Sequence, residues 1–400
     1  MLGIKKPYLN LILLIYLASH PALMFANNLL NSPLHDDPSE ALLIKTFNAI
    51  NENRIDSAIK HLEEIIRVNP KFNLAQVVYG DLLKAKTTAL QQFGSNINGD
   101  AQPLLAEARA RWQHYAFHPK TRLIPSYILE VESRQDNIIV VDTKESRLFV
   151  YKNENGLLKL KEDYYISIGK EGAVKTKEGD KRTPIGVYFV TSFLDPKTLP
   201  DFYGTGAFPI NYPNAWDRHL GRTGYGIWLH GNPLGSFSRP PRASDGCITL
   251  TNPDLDALKP MVKIGDGRTP VLIADGIQWS TFEEIKNEKQ RFQSTINKWR
   301  EDWESLDTEK YLRHYSKSFT GQGRNFKQWA FSKRRTNSFK KYIKVELDDV
   351  SIFRYPGDEK VMVVTYLQKY NSSNFASQGR KRQYWSEEDG RWRIIFEGPI

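Results

Sequence analysis

The stretch Tyr225 to Asn252, YGIWLHGNPLGSFSRPPRASDGCITLTN, decides how the chain is read. It holds Cys247, the only cysteine, within Ser244-Asp245-Gly246-Cys247, and His230 at the end of the apolar run Ile227-Trp228-Leu229. A thiol and an imidazole are the minimum for a cysteine nucleophile with its base. The 16 residues between them, 231–246, are rich in Gly, Pro, Ser and Arg and read as a loop that brings strand end and thiol together. The plain alternative for a lone cysteine is a small buried apolar residue. Gly246 just before it and His230 upstream argue for chemistry instead.

Upstream, the residues before position 27 read as an export signal. Lys5 and Lys6 make a positive start, Leu9 to Leu17 an apolar core, and Ala22 to Ala26 small-residue cleavage sites. The core is short for a membrane span, although an uncleaved anchor, and so a place near the membrane, stays open. Export places the chain in the periplasm or cell envelope, where a leftover cysteine is a free reactive thiol or an intermolecular link. With 400 residues and 40% apolar content, two or three packed domains are expected. The formal charge of +10 suggests acidic partners but is too evenly spread to name one.

Residues 38–90 carry apolar positions at spacings of three and four, the mark of amphipathic helices. The predicted helices run from Ser39, from Ile55 to Val68, and from about Asn73, with a fourth over Leu104 to Tyr115. The phrase RIDSAIKHLEEIIRVNPKFNLAQ resembles a tetratricopeptide-type helical pair, and a plain helical domain for packing or dimer contact is the alternative. From Asn137 the period changes to short β-type runs: 138–141, 148–151, 164–168, 187–190, 226–229 and 269–274.

On these residues, 137–275 resembles the YkuD-type L,D-transpeptidase catalytic domain. Leu229-His230-Gly231 and Ser244-Asp245-Gly246-Cys247-Ile248 follow the family's histidine and cysteine motifs. Gly179-Asp180-Lys181-Arg182-Thr183-Pro184-Ile185-Gly186-Val187-Tyr188 follows its second signature. Two departures stand out: Asp245 replaces the usual histidine before Gly-Cys, and Thr249 the usual Asn or Arg after it. The resemblance implies an L,D-transpeptidase, a cysteine acyl-transferase acting on the L-D bond of peptidoglycan stem peptides through a Cys247 thioester, with His230 as base and no metal or cofactor. An L,D-carboxypeptidase with water as acceptor is the alternative, and a non-catalytic wall-binding protein the alternative of another class. In this reading the Gly231 carbonyl orients the imidazole, and the backbone N–H groups of Gly246 and Cys247 are oxyanion donors. Ser244 supports the loop or bonds the thiol. Arg239 and Arg242 either grip a stem-peptide carboxylate or are solvated. Tyr212 and Trp216 line the substrate surface or pack the core, and Asp245 tunes the thiol or faces solvent.

From Trp279 a third domain is expected: a helix over Thr281 to Leu306, a second over Thr308 to Tyr315, then four strands. It resembles the nuclear-transport-factor-2-like (SnoaL-like) cone, which hosts either a pocket or a dimer face, so a homodimer stays open. The run Arg324 to Lys344 has eight Lys or Arg, no acid, and interleaved aromatics. Nucleic acid is an unsuitable partner for an exported protein, which leaves a solvated helix face or contact with anionic wall polymer. Three-domain relatives of this kind include cell-shape L,D-carboxypeptidases that trim tetrapeptides to tripeptides. The expected architecture is multidomain α+β: signal 1–26, helical domain 27–132, β-rich catalytic domain 133–276, and α+β cone 277–400.

Overall fold

The computed structural model describes residues 38–90, 92–95, 97–117 and 123–399. The export signal read at 1–26 lies outside them. Among the described residues no helix is long and apolar enough to cross a membrane.

Four helices come first: α1 (Ser39–Asn51), α2 (Ile55–Val68), α3 (Asn73–Ala85) and α4 (Gln102–Phe117). Their apolar stripes meet in one core of Leu43, Phe47, Leu62, Phe72, Leu82 and Trp112. α2 stops at Val68 because Pro70 follows, and a residue before proline is biased away from the helical region.

The chain then makes β1 (Leu123–Pro125) and β2 (Ile128–Glu130). Sequence boundaries assign both to the helical domain, but the structure hands them to the C-terminal one. β1 pairs with β13 (Trp279–Thr281), and β2 pairs with Ile352 and Phe353 of β16 (Ile343–Arg354). The reason is a free edge: β16 would otherwise present unpaired backbone groups, and β2 covers them.

The catalytic region is built on a five-stranded sheet in the order β5-β4-β3-β12-β7. These strands are β3 (Asn137–Asp142), β4 (Arg147–Glu154), β5 (Leu157–Tyr165), β7 (Gly186–Phe189) and β12 (Pro270–Ala274). β5 starts earlier than the apolar run at 164–168 suggests, because its first half faces solvent on both sides. Beside this sheet lie a two-stranded pair, β6 (Ile168–Gly169) with β10 (Arg242–Ser244), and a small three-stranded sheet. The latter holds β8 (Ala207–Pro209), β9 (Trp228–His230) and β11 (Ile248–Thr249).

Alternate residues of the five-stranded sheet enter different cores. Ile139, Val141, Leu148, Val150, Val271 and Ile273 face the core that contains β9 and β11. Ile138, Val140, Phe149, Val187, Phe189 and Leu272 face the other way, against Phe353, Tyr355, Val361, Val363 and Tyr384 of the C-terminal domain. Period-two alternation with both faces apolar is what a sheet buried on both sides requires.

The C-terminal domain opens with α5 (Phe282–Glu304), capped by a box in which Thr281 and Glu284 satisfy each other's backbone N–H. A seven-stranded sheet of β2, β14 (Tyr315–Gly321), β15 (Arg324–Asn325), β16, β17 (Val361–Ser372), β18 (Phe375–Glu388) and β19 (Arg391–Pro399) wraps round that helix. Trp299, Trp303, Tyr311, Trp329, Tyr366 and Trp385 fill the space between them. The basic run 324–344 spans a helix, Phe326–Asn337, with Phe331 and Phe339 turned out to solvent.

A fragment of residues 133–276 strips the second face of the five-stranded sheet. Each large apolar side chain so uncovered is worth about 1.5–3 kcal/mol, and several together match a whole domain's stability. The fragment is expected to aggregate or to melt well below the full chain in calorimetry. A soluble fragment with the full chain's melting temperature would contradict the two-faced burial.

Candidate active site

β9 and β11 run parallel, with Leu229 opposite Ile248 and His230 opposite Thr249. Cys247 immediately precedes Ile248, so the same register sets it beside Trp228. His230, two residues beyond Trp228, projects to the same face. Tyr203 confirms that face: its ring lies 4.8 Å from Trp228 and 5.0 Å from His230, and its hydroxyl is pushed up by burial first and by the nearby Cys247 second.

His230 is fully buried, and its Nδ1 donates to the Gly231 carbonyl at 2.7 Å. A carbonyl only accepts, so Nδ1 carries the proton and Nε2 keeps its lone pair. Nε2 is buried with no hydrogen-bond partner among the described residues. Gly231 is required by close approach: a Cβ there would sit 2.1 Å from Asn252 Oδ1. That oxygen accepts from the backbone N–H groups of Thr205 and Asn232, at 3.1 Å each.

The thiol donates to the Gly226 carbonyl at 3.3 Å. Burial pushes it up to about 11, although Trp228 N–H and the Arg239 charge pull the other way. Burial likewise lowers His230 to about 4, against its hydrogen bond to Gly231. Cys247 is half-buried, with its sulfur against the Gly226 carbonyl. The resting pair is therefore a neutral thiol and a neutral imidazole, not a thiolate–imidazolium pair.

Comparison with known proteins bears on this geometry. Residues 136–273 match the L,D-transpeptidase catalytic domain (YkuD), and residues 291–398 match the Cds6 C-terminal NTF2-like domain. Pgp2, the helical cell shape determining protein of Campylobacter jejuni, is similar at 27% identity and a TM-score of 0.57, over 68% of this chain and 95% of that one. Bd1075 of Bdellovibrio bacteriovorus is similar at 30% identity and a TM-score of 0.61, over 70% of this chain and 99% of its own. The chain belongs to the YkuD L,D-transpeptidase family. No curated protein matches it. The family acts on peptidoglycan, and this member adds a C-terminal NTF2-like domain.

Within the YkuD domain the two signatures meet at the cysteine turn. Thr183 Oγ1 donates to Gly246 O and accepts from Gly169 N, both at 3.0 Å. Ser244 Oγ donates to Cys247 O at 2.6 Å and accepts from Gly246 N at 3.1 Å. Ser244 thus supports the loop, the first of its two expected roles. It also engages the Gly246 N–H, which removes that group as an oxyanion donor and leaves Cys247 N–H. Gly246 serves through its shape: φ is 125°, and a Cβ would meet Arg182 O at 2.8 Å.

Of the two arginines, Arg239 is the one near the chemistry. Its guanidinium lies 4.5 Å from the centre of the Phe202 ring, and its charge reaches both Cys247 and His230. Among the described residues no carboxylate pairs with it. Arg242 is exposed at the start of β10, and Asp245 is exposed and paired with Lys170 at 3.2 Å. Tyr212 and Trp216 correct the substrate-lining expectation in favour of packing. Tyr212 is buried, with its hydroxyl on Thr223 O at 2.9 Å. Trp216 stacks on Tyr384 of the C-terminal domain at 4.6 Å. Phe202 and Tyr203, which wall the imidazole, carry no motif signal. They sit in a short turn after Pro200, where an aromatic pair reads as ordinary packing.

The neutral pair sets a pH behaviour. At pH 7 a thiol at about 11 holds roughly a hundredfold less thiolate than one at the ordinary value near 9. Iodoacetamide should label Cys247 about a hundredfold slower than a model thiol, with the rate rising tenfold per pH unit through pH 9. The base must be unprotonated, so kcat/KM should stay level from pH 7 to 5 and fall only toward 4. A labelling plateau at neutral pH, or an acid limb near 6.5, would contradict this.

Proposed function

We propose that this chain is an exported, periplasmic cysteine acyl-transferase that opens the bond between an L-centre and a D-residue in peptidoglycan stem peptides. The observation that carries the reading is the shared face of His230 and Cys247, with Nε2 buried and unpartnered. When substrate displaces the Gly226 contact, Nε2 takes the thiol proton as Sγ bonds the carbonyl carbon. The developing oxyanion is met by Cys247 N–H, a contact worth about 3 kcal/mol when aligned. The C–N bond breaks, the D-residue's amine leaves with the proton from His230, and a thioester remains. An acceptor then attacks, giving its proton to Nε2, and the C–S bond breaks as the thiol is restored. Arg239, unpaired and half-buried beside the sulfur, is suited to a free carboxylate of the stem.

For the acceptor, water is favoured. Support comes from the likeness to the cell shape determining protein over most of both chains, and from the tetrapeptide trimming that the three-domain resemblance implies. Transpeptidation, with a second stem amine as acceptor, is supported by the catalytic-domain match itself. A non-catalytic wall-binding role is disfavoured by the retention of both His230 and Cys247. His219 is disfavoured as an alternative base: it stacks on Trp216 at 4.9 Å and meets Thr320 of the C-terminal domain at 3.1 Å.

Product masses after incubation with disaccharide-tetrapeptide, with and without an acceptor stem, test this. Loss of one D-alanine in both tubes is expected. A cross-linked dimer only where acceptor is present would replace water by an amine, and unchanged tetrapeptide in both would overturn the reading. His230→Ala should cut the rate by about 10² to 10⁴ with little change in substrate binding.

A further inference from the structure

The connection between His230 and Cys247 does not rest on the catalytic domain alone. Phe237 leaves it and packs on the helical-domain core, its ring 4.5 Å from that of Phe72. Its backbone N–H donates to Lys71 O at 3.3 Å, and Lys71 Nζ returns a bond to Leu234 O at 2.8 Å. The next residue, Ser238, donates its hydroxyl to Glu107 Oε1 at 2.7 Å. Glu107 is buried on α4 and paired with Arg111 at 3.0 Å, which also reaches Glu40 at 2.9 Å. Arg111 lies 3.9 Å over the Tyr165 ring, and the Tyr165 hydroxyl donates to Arg239 O at 3.0 Å.

Residues 237, 238 and 239 are thus held in turn by the helical domain or by a side chain it presses on. The last of them carries the guanidinium that faces the thiol. A buried carboxylate is tolerated only while its oxygens are bonded; Glu107 Oε1 takes Arg111 and Ser238 together, so the loop's hydroxyl adds to the Arg111 pairing.

We propose that the helical domain, residues 39–117, is a positioning part of the active site. Glu107 through Ser238, and Phe72 through Phe237, seat the loop so that Arg239 meets the substrate carboxylate beside Cys247. The proposal rests on the reading of Arg239 as that carboxylate's grip. It makes any shift of the helical domain a shift in substrate affinity, with the His230–Cys247 pair left in place on its own ladder.

Full-length Ser238→Ala, Ser238→Thr, Phe237→Ala and Arg239→Ala enzymes test it, by steady-state kinetics on disaccharide-tetrapeptide and by hydrogen exchange of the 231–242 amides. Losing a hydrogen bond to a charged group corresponds to about tenfold or more. Ser238→Ala and Phe237→Ala should raise KM about tenfold with kcat within about twofold, and quicken loop exchange by a similar factor. Ser238→Thr, which keeps the hydroxyl, should restore wild-type values. Ser238→Ala added to Arg239→Ala should cost nothing further, because both act through one contact. Wild-type KM and exchange in Ser238→Ala and Phe237→Ala, with a raised KM in Arg239→Ala, would overturn the positioning role while the grip stands. Quickened exchange with wild-type KM in Arg239→Ala would overturn the grip, and the proposal with it.

Discussion

The parallel pairing of Trp228–His230 with Ile248–Thr249 is the constraint on which the site depends. It carries two residues far apart in sequence to one face, and it does so in a register that cannot slip by one without turning a side chain to the far side. The surroundings defend that register. Asn252 ties the chain after His230 to the turn at Thr205, Thr183 ties the cysteine turn to the second signature, and Ser244 closes that turn on itself. The histidine motif, the cysteine motif and the Thr-Pro signature are three parts of one hydrogen-bonded unit.

Around that unit the domains share cores. The five-stranded sheet has no solvent face in its central strands, and the C-terminal sheet supplies the missing cover. Polar contacts cross the same seam, among them the Tyr355 hydroxyl, which donates to Ile185 O at 2.9 Å and accepts from Arg222 at 2.8 Å. Ile185 belongs to the signature that braces the cysteine turn. The NTF2-like domain therefore touches the catalytic apparatus two contacts from the thiol, and the helical domain touches it through the 231–242 loop from the other side.

Much of this was legible beforehand. The lone cysteine, the strand-to-histidine run and the Thr-Pro signature have spacings that few other chemistries need, so the His230–Cys247 pair could be read from sequence. The run Ile138-Ile139-Val140-Val141 announces a strand apolar on both sides, but nothing in it says which domain covers the second face. For the same reason β2 has no sequence signal: a three-residue strand has no period of its own and is defined by the edge it fills. Arg239 and Arg242 look alike in sequence, and only the loop's path separates the one over Phe202 from the one in solvent. Gly246 reads from sequence as an oxyanion donor, yet its close approach to Arg182 O and the engagement of its N–H by Ser244 depend on turn geometry that spacing does not carry.

The most direct test of the central claim is the intact mass of the wild-type chain quenched during turnover of disaccharide-tetrapeptide, followed by peptide mapping. The predicted result is a thioester adduct equal to the substrate less D-alanine, on the peptide bearing Cys247 and absent from Cys247→Ser. Turnover by the Cys247→Ser chain, or an adduct on any other residue, would contradict it.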